Sequence, residues 1–311
     1  MIELSDIQAA RQRIQAHVRR TPMIAAQPVR KTIPNVPDLH LKLENMQIVG
    51  SFKARGAVNK LLSLPHDQVA CGIITASGGN HGLGVAYAGW LAQAPTKIYL
   101  PHSTPKHKAE KLAEWGAEVI YEGAVWDDAN RAALRHAERD GLAYFHPFAD
   151  PAVIAGQGTI GLEILEALPD IHTLVIAIGG GGLISGISVA IKALRPEVRI
   201  IGVEATGAPT LYESLKAGHL IELAEITTVA GTLAPRRSEQ INFDIIRSHV
   251  DQIVLVTDEE MGAAARWLWA EMGIAAELSG AAALAAILTG QVQADGKVCA
   301  LVCGAGTDGI A

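Results

Sequence analysis

The 311-residue sequence has few cysteines and no excess of basic charge. Its three cysteines, Cys71, Cys299 and Cys303, are odd in number and lack paired spacing, which argues against a disulfide framework and a zinc site. With a net charge of -6, the sequence has no excess of the basic residues that are typical of a nucleic-acid-binding protein. Backbone amides can bind a phosphate locally whatever the net charge, so a phosphorylated ligand stays open.

Long apolar runs are also missing. No run reaches the roughly 18 residues that a membrane-spanning helix needs. Residues 1–6 have neither the basic nor the apolar region of a signal peptide, so we expect a soluble, cytoplasmic protein. Hydrophobic residues still make up 49% of the chain, whose length suggests about two domains of roughly 150 residues. Abundant alanine and glycine with only 5% aromatics suit helices packed closely on a sheet.

Short β-branched runs alternate with helical patterns along the chain. This alternation predicts βαβ units and an α/β protein with two three-layer α/β/α domains and mostly parallel sheets. We expect a small domain at 46–145 and a discontinuous large domain formed by 1–45 and 146–311. The ligand is expected in the cleft between them, at the carboxyl ends of the strands. The predicted strands lie at 39–43, 72–75, 97–100, 118–121, 174–178, 199–203, 253–256 and 298–302, and the best-defined helices at 53–64, 80–91, 106–115, 126–140 and 152–168.

One lysine and one glycine loop carry the main chemical signal. Lys53 lies between an extended stretch and a predicted helix. The quartet Gly179, Gly180, Gly181 and Gly182 follows an apolar strand and opens a helix, so unpaired amides and the helix dipole face an anion there. This combination is what an aldehyde-and-phosphate cofactor requires, because the amine forms a Schiff base and the loop holds the phosphate.

A dinucleotide-binding protein is the main alternative interpretation of the quartet. Glu204 follows the loop, a helix and a strand at about the distance of a ribose-binding acidic residue. The G-x-G-x-x-G spacing fails, however, because its last position is Ile184 or Ser185. This interpretation also leaves Lys53 unexplained. A nicotinamide-dependent oxidoreductase and a catalytically silent small-molecule binding protein are the competing classes.

Two further features have both a structural and a functional interpretation. Ser77 and nearby amides can grip a carboxylate and Asn80 can donate to a phenolate oxygen, but either residue also suits a helix N-cap. His81 belongs to a residue type that is more often structural than catalytic. Cys303 ends the last apolar strand, where a free cysteine is either a small hydrophobe or a weak donor facing a ligand.

These runs together resemble the serine/threonine dehydratase family of fold type II pyridoxal-phosphate enzymes, with a tryptophan synthase β-like fold. The resemblance implies pyridoxal 5'-phosphate as cofactor, β-elimination of L-threonine or L-serine to a 2-oxo acid and ammonia, and a homodimer. Elimination from 3-hydroxyaspartate or another β-hydroxy amino acid is the alternative, because residues 305–308 depart from the commoner Gly-Asn run. The matching runs, in the family's order, lie at 42–45, 50–57, 77–82, 153–159, 179–182, 251–256 and 277–281.

The resemblance also implies roles around the cofactor. Lys53 carries the Schiff base and then removes the α-proton, and Phe52 packs near the ring. Asn80 hydrogen-bonds the ring hydroxyl oxygen, and the glycine quartet cradles the phosphate. Cys303 faces the pyridine nitrogen, where many members of the family have serine.

Three residues are implied in binding the substrate carboxylate: Ser77, Gly78 and His81. Racemases of the family have a serine at the position of Gly78 and an asparagine at the position of Phe148. Since glycine has no side chain to deliver a proton from the face opposite Lys53, we expect weak or no racemisation.

A cation and a regulatory property complete the expectations from the resemblance. Many relatives bind a cation near Glu204 and Ala208, and magnesium-dependent members have an aspartate at the position of Thr210. This sequence has one carboxylate fewer at that site than the magnesium-dependent members, which favours a monovalent ion such as potassium, or no ion. Because the sequence stops at Ala311, without a C-terminal regulatory domain, we expect a catabolic-like enzyme that isoleucine does not inhibit.

Overall fold

The computed structural model describes residues 2–28, 30, 31, 33, 36, 38–294 and 296–310. Every predicted strand and helix is present, with each end shifted by at most three residues. The strands are β1 (Met23–Ala25), β2 (Leu39–Leu43), β3 (Ile73–Ala76), β4 (Thr96–Leu100), β5 (Glu118–Tyr121), β6 (Ala143–Tyr144), β7 (Ile171–Ala177), β8 (Arg199–Ala205), β9 (Gln252–Val256) and β10 (Lys297–Val302). The helices are α1 (Leu4–Ile14), α2 (Lys53–Ser63), α3 (His66–Cys71), α4 (Asn80–Ala92), α5 (Lys106–Ala113), α6 (Trp126–Asp140), α7 (Pro151–Ala167), α8 (Gly182–Leu194), α9 (Thr210–Ala217), α10 (Gln240–His249), α11 (Asp258–Met272) and α12 (Leu278–Leu288).

A four-stranded parallel sheet has the order β5-β4-β3-β6. Successive side chains of a strand point to opposite faces. Ile74 and Tyr99 therefore pack on α6, whereas Ile73 and Ile98 pack towards α4. Each fully buried isoleucine contributes about 1.5–3 kcal/mol to this three-layer arrangement.

A six-stranded sheet has the order β1-β2-β10-β7-β8-β9 and is parallel except for the antiparallel pair β1 and β2. Helix α12 packs across β7 to β10, and α8 contacts β7 and packs on α7. The second half of β7, residues 174–177, is an unbroken hydrophobic run because both of its faces are covered. The predicted α/β class with two mostly parallel sheets is confirmed. The domain boundaries at 45/46 and 145/146 stay predictions.

Helices α2 and α7 pack closely, which fixes the start of α2 relative to the large sheet. A Cβ atom at Gly56 would lie 2.8 Å from the Val153 side chain, and one at Gly156 would lie 2.7 Å from the Arg55 carbonyl oxygen. Glycine at both positions allows the two backbones to approach this closely. Across the described residues, no helix combines the length and apolar character required for a bilayer crossing.

Candidate active site

The segment before α2 is anchored to the end of β10. The Phe52 N–H donates to the Cys303 carbonyl at 3.3 Å, and the Ala305 N–H donates to the Gly50 carbonyl at 2.8 Å. Gly50 has a φ of 77°, a conformation that glycine adopts readily. This short antiparallel pairing places Lys53, the first residue of α2, beside the carboxyl end of the large sheet.

The Lys53 side chain ends in a partly buried environment. Its Nζ donates to the Pro147 carbonyl at 2.6 Å and lies 5.2 Å from the centre of the Phe52 ring. Burial lowers the pKa of the Lys53 amine to about 8, against the opposing effect of Glu277. An amine with such a pKa is partly neutral at neutral pH, which is the form that attacks an aldehyde.

The glycine quartet leads from the end of β7 into α8, which begins at Gly182. Among the described residues, the amide N–H groups of Gly179–Gly182 have no hydrogen-bond acceptor. The Gly180 carbonyl accepts from Ser238 Oγ at 2.9 Å and from Asn242 Nδ2 at 2.9 Å. Because a trans peptide directs its N–H opposite to its carbonyl, this pair of contacts turns the Gly181 N–H away from Asn242. The loop thus presents free donors suited to a phosphate.

Packing explains why this loop needs so many glycines. A Cβ atom at Gly180 would lie 2.2 Å from Cδ1 of Phe148, and one at Gly182 would lie 2.3 Å from the Phe148 carbonyl oxygen. At Gly179 the nearest atom would be the Thr232 carbonyl oxygen, at 2.8 Å. Neighbouring segments therefore leave no room for a side chain at these three positions, whether or not a ligand is bound.

The run 77–82 forms the turn from β3 into α4. Ser77 Oγ accepts from the Gly79 N–H at 3.3 Å, and Gly79 is the N-cap, so neither Ser77 nor Asn80 caps the helix. A Cβ atom at Gly84 would lie 2.9 Å from the Lys53 carbonyl oxygen. This close approach of α4 to the start of α2 brings Asn80 to the same region as Lys53.

The His81 ring is committed to the protein interior. Its Nε2 lies 3.1 Å from Thr75 Oγ1 and 3.0 Å from the Phe145 carbonyl oxygen. Burial, together with the nearby Lys53 charge, lowers the pKa of His81 to about 3, so the ring is neutral. Any contribution of His81 to carboxylate binding therefore falls to its main chain, and that role stays a prediction.

A carboxylate that the sequence interpretation left without a role lies beside Asn80. Glu277 Oε1 accepts from Asn80 Nδ2 at 2.7 Å and from Ser279 Oγ at 2.7 Å. Burial raises the pKa of Glu277. The Cys303 thiol donates to the Ser279 carbonyl at 3.4 Å, and burial raises its pKa, so it stays protonated.

The comparison with protein families decides the assignment of the chain. The sequence profile described as "Pyridoxal-phosphate dependent enzyme" matches residues 14–304. The chain belongs to this family of pyridoxal-phosphate dependent enzymes.

Individual members of the family are similar over almost the whole chain. An L-threonine ammonia-lyase of Thermotoga maritima is 40% identical over 306 residues, which are 98% of this chain and 76% of that protein. The processed form of threonine deaminase isoform 2 from Solanum lycopersicum superposes with a TM-score of 0.90 at 36% identity, covering 98% of this chain and 89% of that chain. Maize serine racemase gives a TM-score of 0.91 at 32% identity, covering 98% and 93%.

The described side chains fit the cofactor of the pyridoxal-phosphate dependent enzymes. The Lys53 amine suits its aldehyde, and the partnerless amides of Gly179–Gly182 suit its phosphate. Asn80 Nδ2 carries two hydrogens, of which Glu277 receives one. The second hydrogen suits a ring oxygen of the cofactor, and that contact stays a prediction.

The region predicted to bind a cation is already partly occupied by protein contacts. The Glu204 carboxylate accepts from the N–H groups of Leu211 at 2.9 Å and Tyr212 at 2.7 Å, at the start of α9. Burial raises the pKa of Glu204 to about 8. Thr210 Oγ1 donates to the Pro235 carbonyl at 2.7 Å. No cluster of three or more His, Cys, Asp or Glu side chains within the described ranges is arranged for a metal, and a cation held by Glu204, Ala208 and Thr210 stays a prediction.

Several residues of the site have no recognisable sequence signal. Pro147 contributes only its carbonyl, and Asn242 reaches the loop from α10, far along the chain. His146 lies next to Pro147, at the predicted domain boundary. That position in the sequence indicates a loop but no function. Glu277 lies in one of the runs that carry the resemblance, but its contact with Asn80 spans 197 residues.

Proposed function

We propose that this protein is a pyridoxal-phosphate-dependent ammonia-lyase that converts L-threonine or L-serine to a 2-oxo acid and ammonia. The observation that carries the proposal is that one turn joins the two groups: the Pro147 carbonyl accepts from the Lys53 amine. The neighbouring Phe148 packs against Gly180 in the loop whose amides have no hydrogen-bond partner among the described residues. The L-threonine ammonia-lyase and the threonine deaminase to which the chain is similar support the choice of reaction.

When bound, pyridoxal phosphate supplies a conjugated ring that takes up the electron pair of the broken Cα–H bond. Lys53 holds the cofactor and accepts the α-proton on Nζ, which a pKa of about 8 allows near neutral pH. The Pro147 carbonyl restrains this amine at 2.6 Å. Asn80 orients the ring through its remaining amide hydrogen, and the glycine quartet fixes the phosphate.

The substrate is held by the turn from β3 into α4. Ser77 and the main chain of Gly78 and His81 bind the α-carboxylate. Gly78 has no side chain, so Lys53 is the base on one face of the substrate and no second base opposes it. Cys303 stays a neutral thiol and brings no charge to the ring nitrogen. Both features favour elimination over racemisation.

The deciding experiment measures 2-oxo acid and ammonia across a panel of L-threonine, L-serine and 3-hydroxyaspartate. We expect turnover with L-threonine or L-serine, loss of turnover in Lys53→Ala, and loss of the visible absorption band of the bound cofactor in the same variant. Lys97→Ala on β4, which removes an ion pair with the exposed Glu118 on β5, is the matched control and should retain both. A holoenzyme that binds the cofactor but releases no ammonia from any member of the panel contradicts the proposal. Chiral analysis of the L-serine reaction tests the second part, because D-serine forming as fast as pyruvate contradicts a one-base site.

We also propose that the enzyme is a homodimer and acts in the cytoplasm. The resemblance to the dehydratases supports the first assignment, and the second is the expectation from the sequence. Light scattering of the purified holoenzyme tests the first, with a single species of about 33 kDa contradicting it. Fractionation of the source cells tests the second.

A further inference from the structure

The turn between β6 and α7 connects the Lys53 amine to the glycine loop. Its Pro147 carbonyl accepts from Lys53 Nζ at 2.6 Å. Its Phe148 ring fills the space next to Gly180, where a Cβ atom would lie 2.2 Å away. Asn242 Nδ2 then joins the Phe148 carbonyl, at 3.1 Å, to the Gly180 carbonyl, at 2.9 Å. A shift of this turn therefore moves the amine and the loop together.

His146 closes this turn with its own ring. Its Nδ1 accepts from the N–H of Phe148 at 3.3 Å and from the N–H of Ala149 at 2.9 Å. Asp150 makes the equivalent contacts with the residues that follow it. Its Oδ1 accepts from the N–H of Ala152 at 2.8 Å and from the N–H of Val153 at 3.3 Å, and so caps α7. Asparagine and aspartate usually make this local motif through a side-chain oxygen. His146 makes it with a ring nitrogen.

The contacts define the chemical state of the ring. Because Nδ1 accepts two main-chain N–H groups, it carries no proton, and the proton of the neutral ring lies on Nε2. Burial and, to a smaller extent, the Lys53 charge lower the pKa of His146 to about 4, against the opposing effect of Asp150. The rings of Tyr144 and Phe148 pack edge-on against it, and neither carries a charge near neutral pH. His146 is thus a neutral acceptor under working conditions.

We propose that His146 is a positioning residue whose Nδ1 fixes the turn that presents the Pro147 carbonyl to the Lys53 amine and holds Phe148 against the glycine loop. The inference rests on the proposed function for the roles of Lys53 and of the loop. It goes beyond that function because His146 would act through the Pro147 carbonyl and the Phe148 ring, which its Nδ1 contacts hold in place. Its effect should therefore appear in cofactor binding and in the titration of the bound cofactor as well as in turnover.

Three variants separate the acceptor from the bulk of the ring. His146→Phe keeps the ring and removes the acceptor, His146→Ala removes both, and His146→Asn supplies an oxygen acceptor that makes the same local motif. We expect Phe and Ala to weaken the binding of pyridoxal phosphate to the apoenzyme about tenfold, the order of one or two lost hydrogen bonds. They should also move the pH midpoint of the visible band of the holoenzyme. Asn should restore affinity to within about threefold and return the midpoint.

The outcomes distinguish this inference from the proposed function. Wild-type affinity and midpoint in His146→Phe overturn the positioning role, as does a His146→Asn variant that folds but binds the cofactor no better than His146→Phe. If the variants fail to fold, nitrogen-15 spectra of the histidine rings in the wild-type holoenzyme decide. A neutral ring with its proton on Nε2 at pH 7 supports the role, and a charged ring or a proton on Nδ1 overturns it. A wild-type enzyme that binds the cofactor and releases no ammonia refutes the proposed reaction alone.

Discussion

The side-chain amide of Asn80 donates to Oε1 of Glu277 at 2.7 Å and so joins the first turn of α4 to the residue that precedes α12. Ser279 donates to the same oxygen at 2.7 Å and itself accepts from Thr232 at 2.5 Å. A Cβ atom at Gly304 would lie 2.2 Å from that oxygen. The Glu277 carboxyl group is therefore enclosed, and it fixes which way the Asn80 amide faces.

Replacing Glu277 tests whether the acceptor or the charge matters. Glu277→Gln keeps an oxygen that accepts from Asn80, so we expect kcat to change by less than about threefold. Glu277→Ala leaves the Asn80 amide unrestrained, and we expect kcat and cofactor affinity to fall about tenfold. Steady-state kinetics and absorbance titration of both variants measure this. Equal damage in the two variants would show that the negative charge is the essential property.

Substitution of a loop glycine tests the packing behind the phosphate site. We expect Gly180→Ala to destabilise the protein by about 1–3 kcal/mol and to weaken cofactor binding, because the new methyl group meets the Phe148 ring. Gly262→Ala in α11 is the matched control, since its nearest contact is the flexible end of Arg266 at 3.2 Å. The control should be neutral or stabilising in urea unfolding. Wild-type cofactor affinity in Gly180→Ala would refute the tight fit.

The sequence predicts the elements of this fold well because their signals are local. Strand β5 and helix α6 have their predicted bounds, since alternation and helical spacing are visible within a few residues. By contrast, only the resemblance implies that Lys53 and Cys303 lie around one cofactor, and their roles there stay predictions.

The supporting contacts of the site could not be predicted in the same way. The contact of Asn80 with Glu277 depends on how two separate sheets dock, and the closure of the His146 turn depends on one ring orientation. The ring of His81 is a third example, because it turns inward to Thr75. Its neighbours in the sequence do not determine that direction.

A buried charge cluster surrounds Arg55 near the start of α2. Arg55 donates to Glu44 at 2.8 Å and to Glu163 at 2.6 Å, and Lys42 also contacts Glu163, at 2.5 Å. Two positive and two negative groups balance there, almost out of contact with water. Removing one partner leaves buried charge uncompensated, which typically costs about 3–5 kcal/mol.

We therefore expect Arg55→Met to lower the free energy of unfolding by about 3–5 kcal/mol in urea titrations. The control is Arg131→Met, which removes an exposed ion pair with Asp128 and should cost less than about 1 kcal/mol. Similar losses in the two variants would mean that the buried cluster contributes no more than a surface pair.

The predicted cation is tested by its effect on thermal stability. A cation bound to the native Glu204 carboxylate stabilises the fold through its binding free energy. We expect a higher Tm in potassium chloride than in tetramethylammonium chloride at equal ionic strength, and no such difference in Glu204→Gln. Equal Tm values for the wild-type protein in both salts would exclude a potassium site under these conditions.

The lowered pKa of Lys53 predicts the direction in which the stability of the apoenzyme changes with pH. Its pKa is about 8 in the folded protein and 10.5 for the ordinary side chain, chiefly because burial disfavours the charged form. Between these values the unfolded chain binds more protons, so the contribution of Lys53 to the free energy of unfolding rises with pH. The charged amine is a penalty below about pH 8 that disappears towards pH 10.5.

Lys53→Met removes the titration of this amine. Taking the difference between the variant and the wild type cancels the pH dependence that the other groups contribute to both proteins. The difference in free energy of unfolding, variant minus wild type, should therefore be largest near pH 7 and shrink by about 1–3 kcal/mol towards pH 10. Urea unfolding of both apoproteins at several pH values measures it. Parallel pH profiles of the free energy of unfolding would mean that the Lys53 amine is as well solvated as a surface lysine. Its pKa would then not be lowered, and the amine would not be partly neutral near pH 7.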